Sequence, residues 1–332
     1  MKVLFIGGTG TISTWCSRLA VERGIELVFL NRGHNAAKVP QGVRVITADI
    51  RNREEARAAL KDETFDVVVD WIAFTTDHIE NDLELFRGKT RQFIFISSAS
   101  AYQSQPTQYL ITESTPLKNP FWGYSRNKIA CEEMLMQAYR DNDFPMTIVR
   151  PSHTYDNSLP TTFGGDYTVP DRMVRGQKII AHGDGSSLWT LTHSEDFAKG
   201  FVGLLGNVHS IGHAIHITSD EALTWDQIHQ IIGDAVGASP NVVHIPSDFI
   251  ARFDEGIGAG IVGDKAKCAV FDNSKIKLFV PDFVATISFS EGVRRALKWF
   301  DEDASRKAPN ANTNATIDKI IAAYEKAFDA LG

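Results

Sequence analysis

Short apolar runs and amphipathic stretches alternate through the first 150 residues. Apolar runs of four to six residues predict strands at Val3–Ile6, Glu26–Leu30, Val43–Thr47, Asp66–Asp70, Phe93–Ser97 and Met146–Arg150. Between them, helical periodicity predicts helices at Thr11–Arg23, Arg53–Leu60, His78–Phe86 and Ser125–Tyr139. Val67-Val68-Val69 and Phe93-Ile94-Phe95-Ile96 are apolar without alternation, as strands covered on both faces are. Strand–helix alternation of this kind predicts an α/β fold, a Rossmann-type doubly wound parallel sheet.

After Arg150 the pattern changes. Residues Ser152 to Gly185 are rich in Gly, Pro, Asp and Thr, and read as long loops over a site. Helical patterns return at Ser194–Leu205, Thr224–Val236, Ser290–Asp301 and Ile317–Leu331, with Lys307–Thr316 as a linker. At roughly 150 residues per domain, the 332 residues allow about two. The expected division is a dinucleotide-binding domain over 1–150 and a smaller, partly interleaved substrate region over 151–332. Part of 190–216 is expected to return to the first.

Composition narrows the function classes. A net charge of −7 provides no basic field for nucleic acid or an anionic membrane, and no apolar run is long enough to span one. The run from Val3 stops at Gly7, so it reads as a buried strand rather than a leader. Cys16, Cys131 and Cys268 make neither a disulfide framework nor a metal cluster, which points to a reducing cytoplasm. His209, His213 and His216 lack acidic or cysteine partners in sequence and are read as structural, leaving no metal site. The expected partner is a small-molecule substrate, and the expected state a monomer or homodimer.

The candidate chemistry starts at Gly7-Gly8-Thr9-Gly10-Thr11-Ile12-Ser13, which follows a strand and opens a helix. Such a loop lets backbone approach a pyrophosphate and aims a helix N-terminus at its charge. Gly7, Gly10, Thr11 and Ile12 are therefore candidate cofactor contacts, with Ser13 standing where a third small residue packs helix on strand. About twenty residues on, Asn31-Arg32 occupies the place where an acid would select NAD. The arginine suits a 2′-phosphate, so NADP is favoured slightly over NAD. Asp49 and Ile50, after the third strand, are candidates for the adenine end.

Tyr124 and Lys128 lie four apart on one helix face. A free tyrosine, with a pKa near ~10, is a poor proton carrier at neutral pH, and a neighbouring ammonium is expected to lower it. The preceding strand ends in Ser97-Ser98-Ala99-Ser100, at the carboxyl edge where α/β sheets bind ligands.

These segments, taken in order, resemble the short-chain dehydrogenase/reductase superfamily, in its extended branch of NAD-dependent epimerases and dehydratases. Arg150-Pro151-Ser152-His153-Thr154-Tyr155, Gly183-Asp184-Gly185 and Thr192-His193-Ser194-Glu195-Asp196-Phe197-Ala198 carry the resemblance into the second half, to about Trp299. It implies that Ser98 is the catalytic serine, Tyr124 the acid/base and Lys128 the lysine that holds the nicotinamide ribose. Ala73, Pro151 and His153 are then placed along the cofactor. The implied function is oxidoreductase or epimerase action on a hydroxyl or carbonyl of a small, sugar-like substrate, with hydride transfer to or from the nicotinamide. Dehydration is disfavoured, because Ala99 and Ser100 supply no further acid/base pair.

The sequence departs from the branch in three places. Leu188-Trp189-Thr190 stands where an arginine usually grips a substrate pyrophosphate, leaving Arg172 or Arg175 as substitutes. The stretch from Ala73 to Ser98 is short for a branch that often dimerises there. Asp70-Trp71-Ile72-Ala73-Phe74 replaces a histidine-bearing segment; Trp71 reads as core and Phe74 is open. These departures resemble atypical members, some of which bind RNA. The alternative is therefore a non-catalytic NAD(P)-binding regulator or an RNA-binding relative, against which the Ser98, Tyr124 and Lys128 set speaks.

Overall fold

A computed structural model describes residues 1–103 and 108–330. Its centre is a seven-stranded parallel sheet of β1 (Lys2–Ile6), β2 (Glu26–Asn31), β3 (Arg44–Thr47), β4 (Phe65–Asp70), β5 (Thr90–Ile96), β6 (Met146–Pro151) and β7 (Ala214–Ile217). The spatial order is β7-β6-β5-β4-β1-β2-β3. The direction of strand addition therefore reverses beside β1, which opens a crevice at the carboxyl edge between β1 and β4. Register brings Ile6, Leu30 and Asp70 level at that edge, and Ile96 level with Val149.

Both faces of the sheet are covered, which is why its strands lack alternation. Leu4, Ile6, Val68, Phe93, Phe95 and Ile148 pack on one face, against α2 (Arg53–Ala59), α3 (Thr76–Phe86) and α4 (Gly123–Asn142). Val3, Phe5, Val67, Val69, Ile94 and Val149 pack on the other, with Cys16 and Ala20 of α1 (Thr11–Glu22) and Phe197 and Phe201 of the helix Ser194–Leu204. A separate core forms around Trp225, Ile228, Phe289, Val293, Ile317 and Ile320.

The first half follows the sequence reading within a few residues at each end. In the second half the helices expected at Ser194–Leu205, Thr224–Val236 and Ser290–Asp301 form within a residue of their expected ends, and the rest departs from the reading. The stretch read as loops from Ser152 contains a helix, Thr168–Val174, and a strand, Lys178–His182, which pairs in parallel with Asn241–Ile245. The expected linker is shorter too. Asn310 accepts from the amides of Asn312 and Thr313, both at 3.0 Å, and the last helix starts at Ala311 rather than Ile317. It ends at Asp329; residue 331 of the expected helix lies outside the described residues. No helix of the described residues is long and apolar enough to cross a membrane.

Candidate active site

A cleft of about 740 Å³ lies at the carboxyl edge, lined by the glycine loop, the end of β5, the first turn of α4 and segments from the second half. Of the residues singled out in sequence, Gly7, Gly10, Thr11, Ile12, Ser98, Tyr124, Lys128, Pro151 and His153 all line it.

Lys128 is 1% exposed, yet its ammonium is satisfied: it donates to the carbonyls of Ala73 and Ile96, each at 2.7 Å. The rings of Phe74 and Phe95 lie 4.6 and 4.7 Å from it. Burial draws its pKa down to about 8. Tyr124 differs from expectation. Its pKa is raised, because burial outweighs the lowering effect of the Ser98 hydroxyl, and the charge of Asp264 adds to the rise. The lysine ammonium is held by two carbonyls, 5.8 Å from the tyrosine ring centre.

Ser98 belongs to a hydroxyl chain. Its Oγ lies 2.9 Å from that of Ser100, which accepts from Ser125 at 2.8 Å. Below it, Ser97 donates to Glu132, and Glu132 forms a buried ion pair with Arg150 at 2.5 Å. His153 is neutral: its Nδ1 accepts from the Trp189 indole at 3.1 Å, and burial lowers its pKa to about 3.

The sequence model of the NAD dependent epimerase/dehydratase family matches residues 3–218. The chain belongs to that family. Among its relatives, 2′-dehydrokanamycin reductase of Streptomyces kanamyceticus is 24% identical over 76% of this chain and 71% of its own. UDP-glucose 4-epimerase of Lactobacillus helveticus is 24% identical over 73% and 87%. A chloroplast stem-loop binding protein of 41 kDa from Arabidopsis thaliana is 26% identical over 75% and 67%. In fold, the chain is similar to Pal from Bacillus thuringiensis, with a TM-score of 0.74, 20% identity and coverage of 91% and 99%. It is likewise similar to UDP-glucose 4-epimerase of Thermus thermophilus solved with NAD, with a TM-score of 0.71, 19% identity and the same coverage.

This is an enzyme of the epimerase/dehydratase family, and its glycine loop fits the family's nicotinamide dinucleotide. Gly7 and Gly8 hold φ of +104° and +95°, which glycine adopts without strain. A Cβ on Gly8 would sit 2.7 Å from the Phe29 ring. A Cβ on Gly10 would meet only Ser13 Oγ, at 3.5 Å, so this glycine leaves room for a ligand rather than relieving a clash. Ser13, in the third small position, accepts the Gly10 amide at 2.9 Å and is buried against the loop.

The remaining sequence candidates lie outside the cleft lining. Asn31 caps its own turn by accepting the Gly33 amide at 2.9 Å, and Arg32 is exposed beside it. Asp49 accepts the Arg51 amide at 2.9 Å, while Ile50 and Ala73 are buried. Asn35, not singled out in sequence, lines the cleft near this end. Trp71 packs on Phe5 and Phe201, as a core residue does, but also lines the cleft; Phe74 is 41% exposed there.

Arg172 and Arg175 do not replace the missing arginine. Arg172 is buried on Asp318 and Asn314 of the last helix, and Arg175 pairs with Asp171. The cations that do line the cleft from the second half are Lys265 and Lys267, which sequence reasoning missed. His216 spends both ring nitrogens, on the Tyr102 hydroxyl at 3.0 Å and the Asp272 carbonyl at 2.7 Å.

Proposed function

We propose that this enzyme oxidises or reduces a hydroxyl or carbonyl carbon of a small, sugar-like substrate, with Tyr124 as the proton carrier. The observation that supports it most is that Tyr124, Ser98 and Lys128 line one cleft with the glycine loop. The dinucleotide, when bound, supplies the hydride acceptor or donor at the reacting carbon. Tyr124 gives a proton to the substrate oxygen in reduction and takes one from it in oxidation. Ser98, against the tyrosine hydroxyl, orients the same oxygen. Lys128 presents a cation beneath the Tyr124 ring and closes the floor of the site.

The relatives named as acting on UDP-sugars and on a dehydro-aminoglycoside support a sugar-like substrate. The aromatic walls of Trp122 and Trp189, both lining the cleft, suit a sugar face. NADP is the favoured dinucleotide, a reading that rests on exposed Arg32 and the absence of an acid at Asn31. Release of the oxidised product makes the enzyme a dehydrogenase or reductase; retention and re-reduction from the other face makes it an epimerase.

The Tyr124→Phe variant tests the reading. Its NADPH affinity, followed by fluorescence titration, is expected to equal that of the parent, while turnover falls by about 10²–10⁴-fold, the usual worth of a positioned acid/base. Undiminished turnover would overturn it. Salt-sensitive RNA binding by a Tyr124→Phe protein with unchanged biological activity would instead favour the binding role that the stem-loop relative suggests.

A further inference from the structure

A carboxyl group from the far half of the chain enters this cleft beside the tyrosine. Asp264 lies in a π-helical stretch, Ile261–Lys265, whose wide turn is closed by the Ala266 amide on the Ile261 carbonyl at 2.8 Å. Such turns recur at functional sites, because they displace one residue from the ordinary helical path.

The stretch is clamped in place. The buried amide of Asn119 donates to the Gly263 carbonyl at 2.7 Å and to the Ser100 carbonyl at 2.9 Å. Its oxygen accepts the Trp122 amide at 3.1 Å. One side chain thus ties the residue before Asp264 to the serine loop and to the start of α4, the elements that carry Ser98 and Tyr124. Gly263 is close against this junction: a Cβ there would stand 3.0 Å from Trp122 Cβ.

Asp264 itself lines the cleft with Tyr124 and Trp122, near enough for its charge to raise the tyrosine pKa. Among the described residues, none donates a hydrogen bond to its carboxyl. Burial pushes that group up to about 7, with Lys265 pulling it back, so a large ionised fraction remains at neutral pH. A half-buried carboxyl without a protein donor, lining the same cleft as the proton carrier, is an acceptor open to a ligand donor.

We propose that Asp264 is a specificity-determining residue, whose carboxyl accepts a hydrogen bond from a substrate hydroxyl adjacent to the oxygen that meets Tyr124. The ligand class is then a carbonyl compound with a neighbouring hydroxyl, or a vicinal diol, as in a sugar or polyol. A simple ketone or aldehyde lacks the second donor. The proposal rests on the reading of Tyr124 given above. A site built to bind a substrate hydroxyl discriminates strongly against an analogue that lacks it.

The test uses the whole enzyme with NADPH and a fixed panel: hydroxyacetone, D-glyceraldehyde and D-erythrose against acetone and propionaldehyde. The parent is expected to prefer the hydroxylated members in kcat/KM by at least about 100-fold, the order such recognition gives. Asp264→Ala is expected to lose most of that preference, with its NADPH affinity and melting temperature unchanged. Asp264→Asn, which keeps an acceptor oxygen, is expected to recover part of it. A preference unaltered in Asp264→Ala overturns the proposal. Tyr124→Phe separates the two readings: turnover retained there but lost in Asp264→Ala overturns the tyrosine assignment and not the Asp264 contact. No turnover of any panel member by the parent overturns both.

Discussion

The ammonium of Lys128 donates to the carbonyl of Ala73 at 2.7 Å, joining α4 to the loop after β4 across 55 residues. That bond and its twin to Ile96 keep a buried cation in a site that draws its pKa from 10.5 down to about 8. In the unfolded chain the lysine holds its proton to higher pH. Between about pH 8 and 10.5 the unfolded state therefore binds more protons, and this group makes stability rise with pH. The rise attributable to Lys128 is about 3 kcal/mol, from 1.36 kcal/mol per pKa unit. Urea unfolding of the parent and of Lys128→Met at pH 7.5 and 10 measures it as a difference between the two slopes; parallel profiles would refute it.

Burial gives Tyr124 a pKa above that of free tyrosine, so the free enzyme carries a neutral phenol throughout the neutral range. In the reducing direction, where the phenol donates, the tyrosine leaves kcat/KM level through the neutral range and past the free-tyrosine value of ~10. In the oxidising direction the phenolate is the working form, and kcat/KM climbs about tenfold per pH unit towards the same limit. Profiles measured in both directions decide the matter. A tyrosine ionisation near pH 7 in both would show that the lysine lowers its pKa after all.

How much of this was readable in the sequence depended on whether burial left a pattern. Val67-Val68-Val69 is apolar because both faces of β4 are covered, and the reading found it. The pair Lys178–His182 and Asn241–Ile245 forms a small two-stranded sheet, and the second strand is only partly buried, so no such run marks it. The stretch holding Gly256, Gly258, Gly260 and Gly263 carries too much glycine to read as helical, although the chain is helical or π-helical from Glu255 to Lys265. The same split runs through the site. The glycine loop and the Tyr124/Lys128 pair are local in sequence, so their spacing can be read directly from it. Asn119 reaches Gly263 across 144 residues, next to Asp264 in the cleft wall. No spacing rule connects them.

The two ends of the glycine loop separate stability from binding. Gly8→Ala puts a Cβ into the Phe29 ring at a φ of +95°, and is expected to cost at least about 1–3 kcal/mol as strain alone. Gly10→Ala meets only Ser13 Oγ at an ordinary φ, −83°, and is expected to leave the melting temperature unchanged while weakening the dinucleotide. Thermal melts with NADPH titrations compare them directly. A Gly10→Ala protein that binds NADPH like the parent would remove this glycine from the cofactor site.

Glu132 and Arg150 stand beneath the serines with side-chain exposures of 3% and 5%. Glu132 also takes the Ser97 hydroxyl, and the Arg150 guanidinium lies 4.7 Å from the Tyr102 ring centre. Glu132→Gln leaves a buried guanidinium without its counter-charge, for which the expected cost is about 3–5 kcal/mol. Because the pair ties α4 to β6 and Glu132 also holds Ser97 just past the end of β5, the loss is expected to loosen the Ser97–Ser100 loop as well. Hydrogen exchange of the Ser97 and Ser100 amides, bonded to the Val149 carbonyl and the Ser98 hydroxyl, would register that; a destabilised variant with those amides still protected would confine the pair to a structural role.

The proposed preference for NADP rests on one position, Arg32. It is exposed at the end of β2, and Asn31 beside it uses its side-chain oxygen on the Gly33 amide, leaving no acid there to receive a ribose diol. On that proposal, the guanidinium would pair with a 2′-phosphate by charge-assisted hydrogen bonds, which NADH cannot offer. Arg32→Ala is therefore expected to weaken NADPH by about tenfold, the order of one hydrogen bond to a charged group, and to leave NADH unchanged. Raising salt is expected to narrow the NADPH advantage in the parent and not in the variant, since the contact is exposed. Equal loss of both dinucleotides would mean that Arg32 supports the loop rather than the phosphate. A parent that prefers NADH would return the selection to the Asn31 turn itself.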